Sequence, residues 1–108
     1  LNCLEAGLEA LERVAHPGLY LQFDLYHMGI TEPDLLKAIA RAGRAIGHVQ
    51  FADHPGRHEP GSGSLDLLGA LAALREVGYD DAIAAEYRPL GRTEDGLHWM
   101  ADFEAAIR

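Results

Sequence analysis

Three strand-like segments of the sequence each carry, near their carboxyl ends, a side chain whose oxygen atoms can bind a cation. These side chains are Asp24, Gln50 and Glu86, and each lies on the face opposite the apolar residues of its segment. Two carboxylates and an amide carbonyl are hard oxygen ligands, which suit Mg2+ or Mn2+ better than Zn2+. If the strands are parallel neighbours, the three side chains converge at one edge and predict a divalent-metal site. The alternative is that each is an ordinary polar residue that faces water.

A polar loop follows the second of these segments and contains groups that bind anions or transfer protons. Residues 53–64 include three glycines and two prolines, with Arg57 between a glycine and a histidine. The planar guanidinium of Arg57 suits a substrate carboxylate, although a solvated loop arginine is the simpler interpretation. His27, three residues after Asp24, is a second candidate for substrate contact, with a surface histidine as its alternative. His48 is interpreted as a packed core histidine rather than a ligand. For three further loop residues, substrate contact is the alternative to the favoured loop-shaping role: His54, His58 and Glu59.

Composition excludes several classes of function. The 108-residue chain has a net charge of −8, and an acidic chain without a basic stripe argues against a nucleic-acid partner. No apolar run approaches the roughly 20 residues that span a bilayer, so no membrane association is expected. The single cysteine, Cys3, cannot form an internal disulfide, which favours a cytoplasmic location. Phosphate-binding, dinucleotide, serine-hydrolase and paired-cysteine motifs are absent from the sequence.

The elements that must position these residues alternate along the chain. Apolar alternation predicts strands at residues 19–25, 46–52 and 82–87, whereas residues 26–30 are predicted to form a loop. A helical period predicts a first helix with Leu4, Leu8, Leu11 and Val14 on one face. Further helices are expected after N-caps at Thr31, at Ser64 or Asp66, and at Thr93. Their predicted apolar faces include Leu35, Leu36, Ile39 and Ala42; Leu67, Leu68, Leu71, Leu74 and Val77; and Leu97, Met100, Phe103 or Glu104, and Ile107.

This order of elements, α followed by three βα units, predicts a parallel α/β sheet with helices outside. No linker interrupts the chain, so residues 1–108 are expected to form a single domain. The spacings from Asp24 to Gln50 and on to Glu86 are close to the roughly 30 residues of one unit of a (β/α)8 TIM barrel. Because the chain opens with Leu in a helical pattern, we interpret it as the C-terminal part of such a barrel. The alternative is a small open sheet, which its two bare edges disfavour.

Four segments resemble the hydroxypyruvate isomerase family of xylose-isomerase-like TIM barrels. They are FDLYHM at 23–28, IGHVQFAD at 46–53, PGRHEPGSG at 55–63 and AEYRP at 85–89. The resemblance implies that Asp24, Gln50 and Glu86 hold a divalent metal, Mg2+ or Mn2+. It implies further that Glu86 is a catalytic residue and that His27 and Arg57 contact the substrate.

The resemblance also indicates a branch of the family, and it implies that part of the barrel is absent from this chain. Related epimerases usually have His where Gln50 stands, which favours the hydroxypyruvate and oxo-tetronate isomerase branch. The family's second catalytic glutamate would precede residue 1, so the missing N-terminal half is an expected partner and the isolated chain is expected to be inactive. The sequence departs from its relatives at Gly29 and at residues 65–68, where they usually have an aromatic residue.

The implied reaction interconverts hydroxypyruvate and 2-hydroxy-3-oxopropanoate (tartronate semialdehyde). Glutamates move a proton between adjacent carbons, and the metal stabilises the enediolate. Within this fold, the alternatives are a 2-oxo-tetronate isomerase or a related sugar epimerase. Other classes are an endonuclease IV-like metal nuclease, disfavoured by Gln50 and the net charge of −8, and a non-catalytic barrel fragment. The sequence leaves a homo-oligomer possible.

Overall fold

The structure is a computed structural model that describes residues 3–108. Its helices are α1 (Leu4–Val14), α2 (Leu25–Thr31), α3 (Leu35–Ala42), α4 (Leu67–Glu76) and α5 (Trp99–Ile107). Its strands are β1 (Leu21–Asp24), β2 (Ile46–Phe51) and β3 (Ile83–Ala85), and short 3-10 turns cover Gly43–Ala45 and Thr93–Gly96. The predicted alternation of strands and helices is confirmed.

The three strands form one parallel sheet with β2 in the middle. In its register, Asp24 lies opposite Gln50, and Gln50 lies opposite Ala84. Paired residues of parallel strands project from the same face of the sheet, and Glu86 follows Ala84 by two residues. The predicted parallel α/β architecture is therefore confirmed, and the pairing places the predicted ligands on a common face.

The core lies between the other face of the sheet and the helices. Phe23, Val49 and Phe51 are at most 2% exposed and belong to one cluster with residues of α3 and α4. Burying each such side chain contributes about 1.5–3 kcal/mol. The ring of Phe103 in α5 lies 4.9 Å from that of Phe51, and the Trp99 ring lies 5.1 Å from both. These aromatic contacts attach the last helix to the central strand.

The segment after β1 differs from its prediction, because residues 25–31 form a helix rather than a loop. The carboxylate of Asp24 accepts hydrogen bonds from the backbone amides of Tyr26 and His27, which caps α2 directly at the strand end. Thr31 is consequently the last residue of α2 and not the N-cap of the next helix. Asp34 caps α3 by accepting from the amide of Lys37.

Other element boundaries and faces also need correction. Asp66, one of the two predicted caps, accepts from the Gly69 amide at the start of α4. Strand β3 is shorter than predicted, and the segment that begins at Thr93 is a 3-10 turn before α5. The predicted apolar faces were too wide, since Leu36, Leu68 and Met100 are exposed. Val14, Leu97 and Ile107, which the helical period also placed on apolar faces, are exposed as well.

Within residues 3–108, every helix is too short or too polar to cross a lipid bilayer. The cytoplasmic location and the possible homo-oligomer stay predictions.

Candidate functional site

A cavity of about 470 Å³ opens at the carboxyl ends of the strands and runs along β1 toward the start of α1. Its lining includes all five side chains selected from the sequence: Asp24, His27, Gln50, Arg57 and Glu86. They come from β1, α2, β2, the loop after β2 and the segment after β3. The parallel sheet therefore brings together residues that are up to 62 positions apart in the chain.

Asp24 contributes a carboxylate that is only partly used by the protein. Its Oδ1 accepts from the amides of Tyr26 and His27 at 2.9 and 3.3 Å. Its Oδ2 lies 3.9 Å from Nε2 of the His27 ring, beyond hydrogen-bonding distance. The side chain is 13% exposed. Asp24 therefore retains an oxygen with free acceptor capacity at the cavity.

Gln50 lies beside Asp24 in the sheet, in register with it. Its Oε1 accepts a hydrogen bond of 2.7 Å from Nε2 of Gln22, a residue of β1 that also lines the cavity. The amide oxygen of Gln50 thus already has one donor partner within the protein. Gln22 was not selected from the sequence, although it shares the parity of Asp24 on the same strand.

Glu86 and Arg57 form an ion pair at the rim of the cavity. The Glu86 amide donates to the Phe51 carbonyl at 2.9 Å, which extends the β2–β3 pairing beyond β3. A guanidinium nitrogen of Arg57 donates to Oε2 of Glu86 at 3.2 Å, and the guanidinium lies 5.4 Å from the centre of the Tyr26 ring. The side chains of Arg57 and Glu86 are 31% and 51% exposed. A pair this accessible contributes at most about 1 kcal/mol, so an incoming ligand can replace it.

The loop that carries Arg57 is organised by Asp53, which is 2% exposed. Oδ1 of Asp53 accepts from the amides of His54 and Leu65 at 2.8 and 3.1 Å. Oδ2 accepts from the amides of Gly61 and Gly63 at 2.9 and 3.0 Å. The sequence interpretation missed this role. A carboxylate directly after a buried strand, before a loop with three glycines, is the signal that could have revealed it.

Two glycines allow the loop to close around this carboxylate. Gly61 has a φ of 95°, in the left-handed region that side chains disfavour. A Cβ atom on Gly63 would lie 2.2 Å from the carbonyl oxygen of His54 and 2.7 Å from Oδ1 of Asp53. Any side chain at position 63 would therefore push the backbone away from Asp53.

The loop is also attached to the segment after β3. Oε2 of the buried Glu59 accepts from the Leu90 amide at 3.1 Å, and the His58 ring bonds the Arg88 carbonyl at 2.7 Å. Hydrogen bonding from its own amide lowers the pKa of the Glu59 carboxyl; burial opposes this, and the Leu90 amide and nearby histidine rings lower the pKa further. The net pKa of Glu59 lies below its ordinary value. These contacts agree with loop-shaping roles for both residues.

The donor atoms at the cavity fit a hard divalent cation in type. Asp24, Gln50 and Glu86 supply carboxylate and amide oxygens, which Mg2+ and Mn2+ prefer. In the structure, however, Gln50 is bonded to Gln22 and Glu86 to Arg57. Within the described part of the chain, no cluster of three His, Cys, Asp or Glu residues is arranged to hold a metal ion. The metal site stays a prediction.

Parallel strands, each followed by a helix, with polar side chains around a cavity at the strand ends, are typical of (β/α)8 barrels. The comparison with protein families agrees with this class. The chain belongs to the xylose isomerase-like TIM barrel family, whose model matches residues 1–103. The interpretation of the chain as part of such a barrel is confirmed.

Two relatives that match in sequence carry isomerase names, and a solved structure with an endonuclease title shares the fold. The chain is 39% identical, over 86% of its length, to a 2-oxo-tetronate isomerase of Pectobacterium atrosepticum, and 40% identical, over 95%, to a putative hydroxypyruvate isomerase of Danio rerio. A crystal structure of an AP endonuclease, family 2, from Brucella melitensis superposes on 95% of the chain with a TM-score of 0.90 and 37% identity. The chain spans 36%, 38% and 40% of these three proteins.

Proposed function

We propose that the protein containing this chain is an isomerase that interconverts hydroxypyruvate and 2-hydroxy-3-oxopropanoate. The observation that carries the proposal is the cavity at the strand ends, because Asp24, His27, Gln50, Arg57 and Glu86 all line it. The relatives with isomerase names support it, since they match most of the chain. The chain spans under two-fifths of either relative, so the activity is proposed for the whole gene product.

In this proposal Arg57 binds the carboxylate of the substrate. A guanidinium presents a planar pair of N–H donors that matches a carboxylate, and the face of Tyr26 lies against the Arg57 guanidinium. The exposed pair with Glu86 is weak enough to be exchanged for a substrate carboxylate. Such an exchange leaves the Glu86 carboxylate available for a different role. His27, which lines the same cavity, is proposed as a second contact to the substrate.

Glu86 is proposed to take a proton from one substrate carbon or to return it to the neighbouring carbon. In this proposal a second glutamate acts at the other carbon, and the longer gene product supplies it. A divalent ion held by Asp24, Gln50 and Glu86 would stabilise negative charge that develops on substrate oxygens. Asp24 would orient such an ion because the α2 amides fix its carboxylate at the strand end.

The direct test is an assay of the full-length gene product on hydroxypyruvate and on a 2-oxo-tetronate, side by side. Each reaction is run with metal-depleted protein, with added Mg2+ and with added Mn2+. We expect aldehyde formation from hydroxypyruvate that disappears after chelation and returns with one of the ions. Conversion of neither compound under any metal condition would refute the proposal, and conversion unaffected by chelation would refute the metal's part in it.

A 2-oxo-tetronate isomerase is the second candidate, favoured by the match to the Pectobacterium relative. Both substrates are carboxylates, so Arg57 would serve either one, and the ratio of the two kcat/KM values decides between them. A metal nuclease is less well supported, although the Brucella structure carries an endonuclease title. The described cavity lining contains one histidine, His27, whereas the nuclease alternative needs several histidine ligands and a basic surface.

A further inference from the structure

Asp53 lies outside the lining of the cavity, but it determines where the Arg57 side chain begins. The Asp53 carboxylate accepts four backbone amides, the farthest of them twelve residues along the chain. Four charge-assisted hydrogen bonds fill the acceptor capacity of a carboxylate. Asp53 therefore has no oxygen left for a ligand, and its effect on a ligand must pass through the loop.

The backbone of Asp53 continues this control to Arg57. The Asp53 carbonyl accepts from the Arg57 amide at 3.1 Å, and the Asp53 amide donates to the His58 carbonyl at 2.9 Å. The Arg57 carbonyl in turn accepts from the Arg88 amide at 2.8 Å. Both backbone polar groups of Arg57 are thus hydrogen-bonded, while its φ of 63° holds it in a left-handed turn. This geometry fixes the direction in which the Arg57 side chain leaves the loop.

We infer that Asp53 is a positioning residue for substrate binding, which builds the loop in advance and holds the Arg57 guanidinium at the cavity. The inference rests on the proposed function in one respect, the binding of a substrate carboxylate by Arg57. Prior ordering of the loop removes a conformational cost from each binding event. Loss of this prior ordering weakens the affinity for an anionic substrate more than it slows the chemical step.

The test compares Asp53→Asn with the wild type in the full-length gene product. Asparagine keeps the size of the side chain but turns one acceptor into a donor that faces amide donors. We expect KM for hydroxypyruvate to rise about 10-fold, because a misplaced binding group weakens contact with the substrate, while kcat changes less than about threefold. In the double variant with Arg57→Lys, KM should exceed that of Arg57→Lys alone by less than about twofold, since both changes act on one interaction.

The control for general destabilisation is Asp34→Ala, which removes the side-chain cap of α3. It should lower the unfolding temperature without changing KM. An irreversibly unfolded fraction lowers the apparent kcat, whereas a reversibly unfolded fraction raises the apparent KM by the inverse of the folded fraction. The kinetics are therefore measured at a temperature at which thermal unfolding shows both variants to be fully folded, so that unfolding does not contribute to KM. An unchanged KM in folded Asp53→Asn would overturn the inference while leaving the proposed function intact.

A second measurement needs no variant. If the loop is built in advance, the amides of Gly61, Gly63 and Leu65 are protected from hydrogen exchange in the wild type without ligand. Exchange of these amides as fast as in an exposed turn would overturn the inference.

If the wild type converts neither substrate, the proposed function fails, and calorimetric binding of hydroxypyruvate replaces the measurement of KM. Weaker binding by Asp53→Asn than by Asp34→Ala then supports Asp53's role, whereas equal binding, or no binding to the wild type, contradicts it.

Discussion

Asp24 and Asp53 both accept backbone hydrogen bonds at the end of a strand, but only Asp24 lines the cavity. Asp24 closes β1 and Asp53 follows β2, and each accepts backbone amides of the segment that comes next. One carboxylate oxygen of Asp24 accepts hydrogen bonds from two amides, and the other oxygen remains available at the cavity. Asp53 receives four amides on both oxygens and is 2% exposed.

The same distinction separates two glutamates of these loops. Glu86 is half exposed and has one replaceable partner, Arg57, whereas Glu59 is buried and bonded to the Leu90 amide. Residue type and position after a strand are thus shared by ligand-facing and loop-building carboxylates. Burial tells the two groups apart, since Asp53 and Glu59 are buried, whereas Asp24 and Glu86 line the cavity. The comparison predicts that substitutions in the first group change contacts with a ligand directly, whereas those in the second group act through the structure of the loops.

The largest effect is expected for Glu86→Gln in the full-length gene product. Losing an acid–base group lowers turnover about 10²–10⁴-fold, whereas losing an exposed ion pair costs at most about 1 kcal/mol of stability. Steady-state kinetics and thermal unfolding measure the two quantities. The matched control is Glu94→Gln, which breaks the exposed pair with Arg92 outside the cavity and should leave turnover unchanged. Glu86→Gln activity within a few-fold of the wild type would remove Glu86 from the ligand-facing group.

The next effect is expected for Asp24→Asn, which removes the charge but preserves a good N-cap. Substituting a residue that supports a metal ligand already costs about 10–100-fold in affinity, so we expect Mn2+ affinity to fall at least about 10-fold here. The unfolding temperature should be nearly unchanged. Titration followed by electron paramagnetic resonance measures bound and free Mn2+. Asp34→Asn makes the same change at the cap of α3 and should not alter Mn2+ binding. Equal Mn2+ affinities in the two variants would contradict a metal role for Asp24.

A smaller effect is expected for Arg57→Lys, which keeps the positive charge and loses the planar pair of donors. Because the contact exists in both the ground state and the transition state, KM for a carboxylate substrate should rise about 10-fold with little change in kcat. Arg41→Lys provides the control, since Arg41 forms a comparable exposed pair with Glu5. Unaltered kinetics in Arg57→Lys would make Arg57 an ordinary loop residue.

The smallest effect is expected for Glu59→Gln and concerns stability as a function of pH. The pKa of Glu59 is lowered in the folded protein, so the carboxylate stabilises the fold above the ordinary glutamate pKa. This contribution is lost as the pH falls through the lowered folded pKa. The unfolding free energies of wild type and Glu59→Gln should therefore converge on acidification below about pH 4.3. Urea unfolding at neutral and acidic pH measures this, with Glu12→Gln on the exposed end of α1 as the control; a constant difference would contradict it.

Much of the cavity could be predicted from the sequence because parallel pairing preserves side-chain parity. Alternation along each strand placed Asp24, Gln50 and Glu86 opposite the apolar face, and the observed register keeps Asp24 beside Gln50. The helix after β1 was missed because apolar spacing carries little information over seven residues. Its formation depends on the Asp24 carboxylate, which accepts the first amides of that helix.

By itself, the sequence determined the alternation of strands and helices, the parallel class and the parity of the cavity residues, since these depend on local period and on the order of elements. Only the tertiary structure decided which carboxylates are available to a ligand. The carboxylate of Asp53 accepts hydrogen bonds from amides as far along the chain as Leu65. The amide oxygen of Gln50 accepts from Gln22, which lies 28 residues earlier. Such contacts form when distant segments fold against one another, and no local pattern encodes how many donors reach a given oxygen.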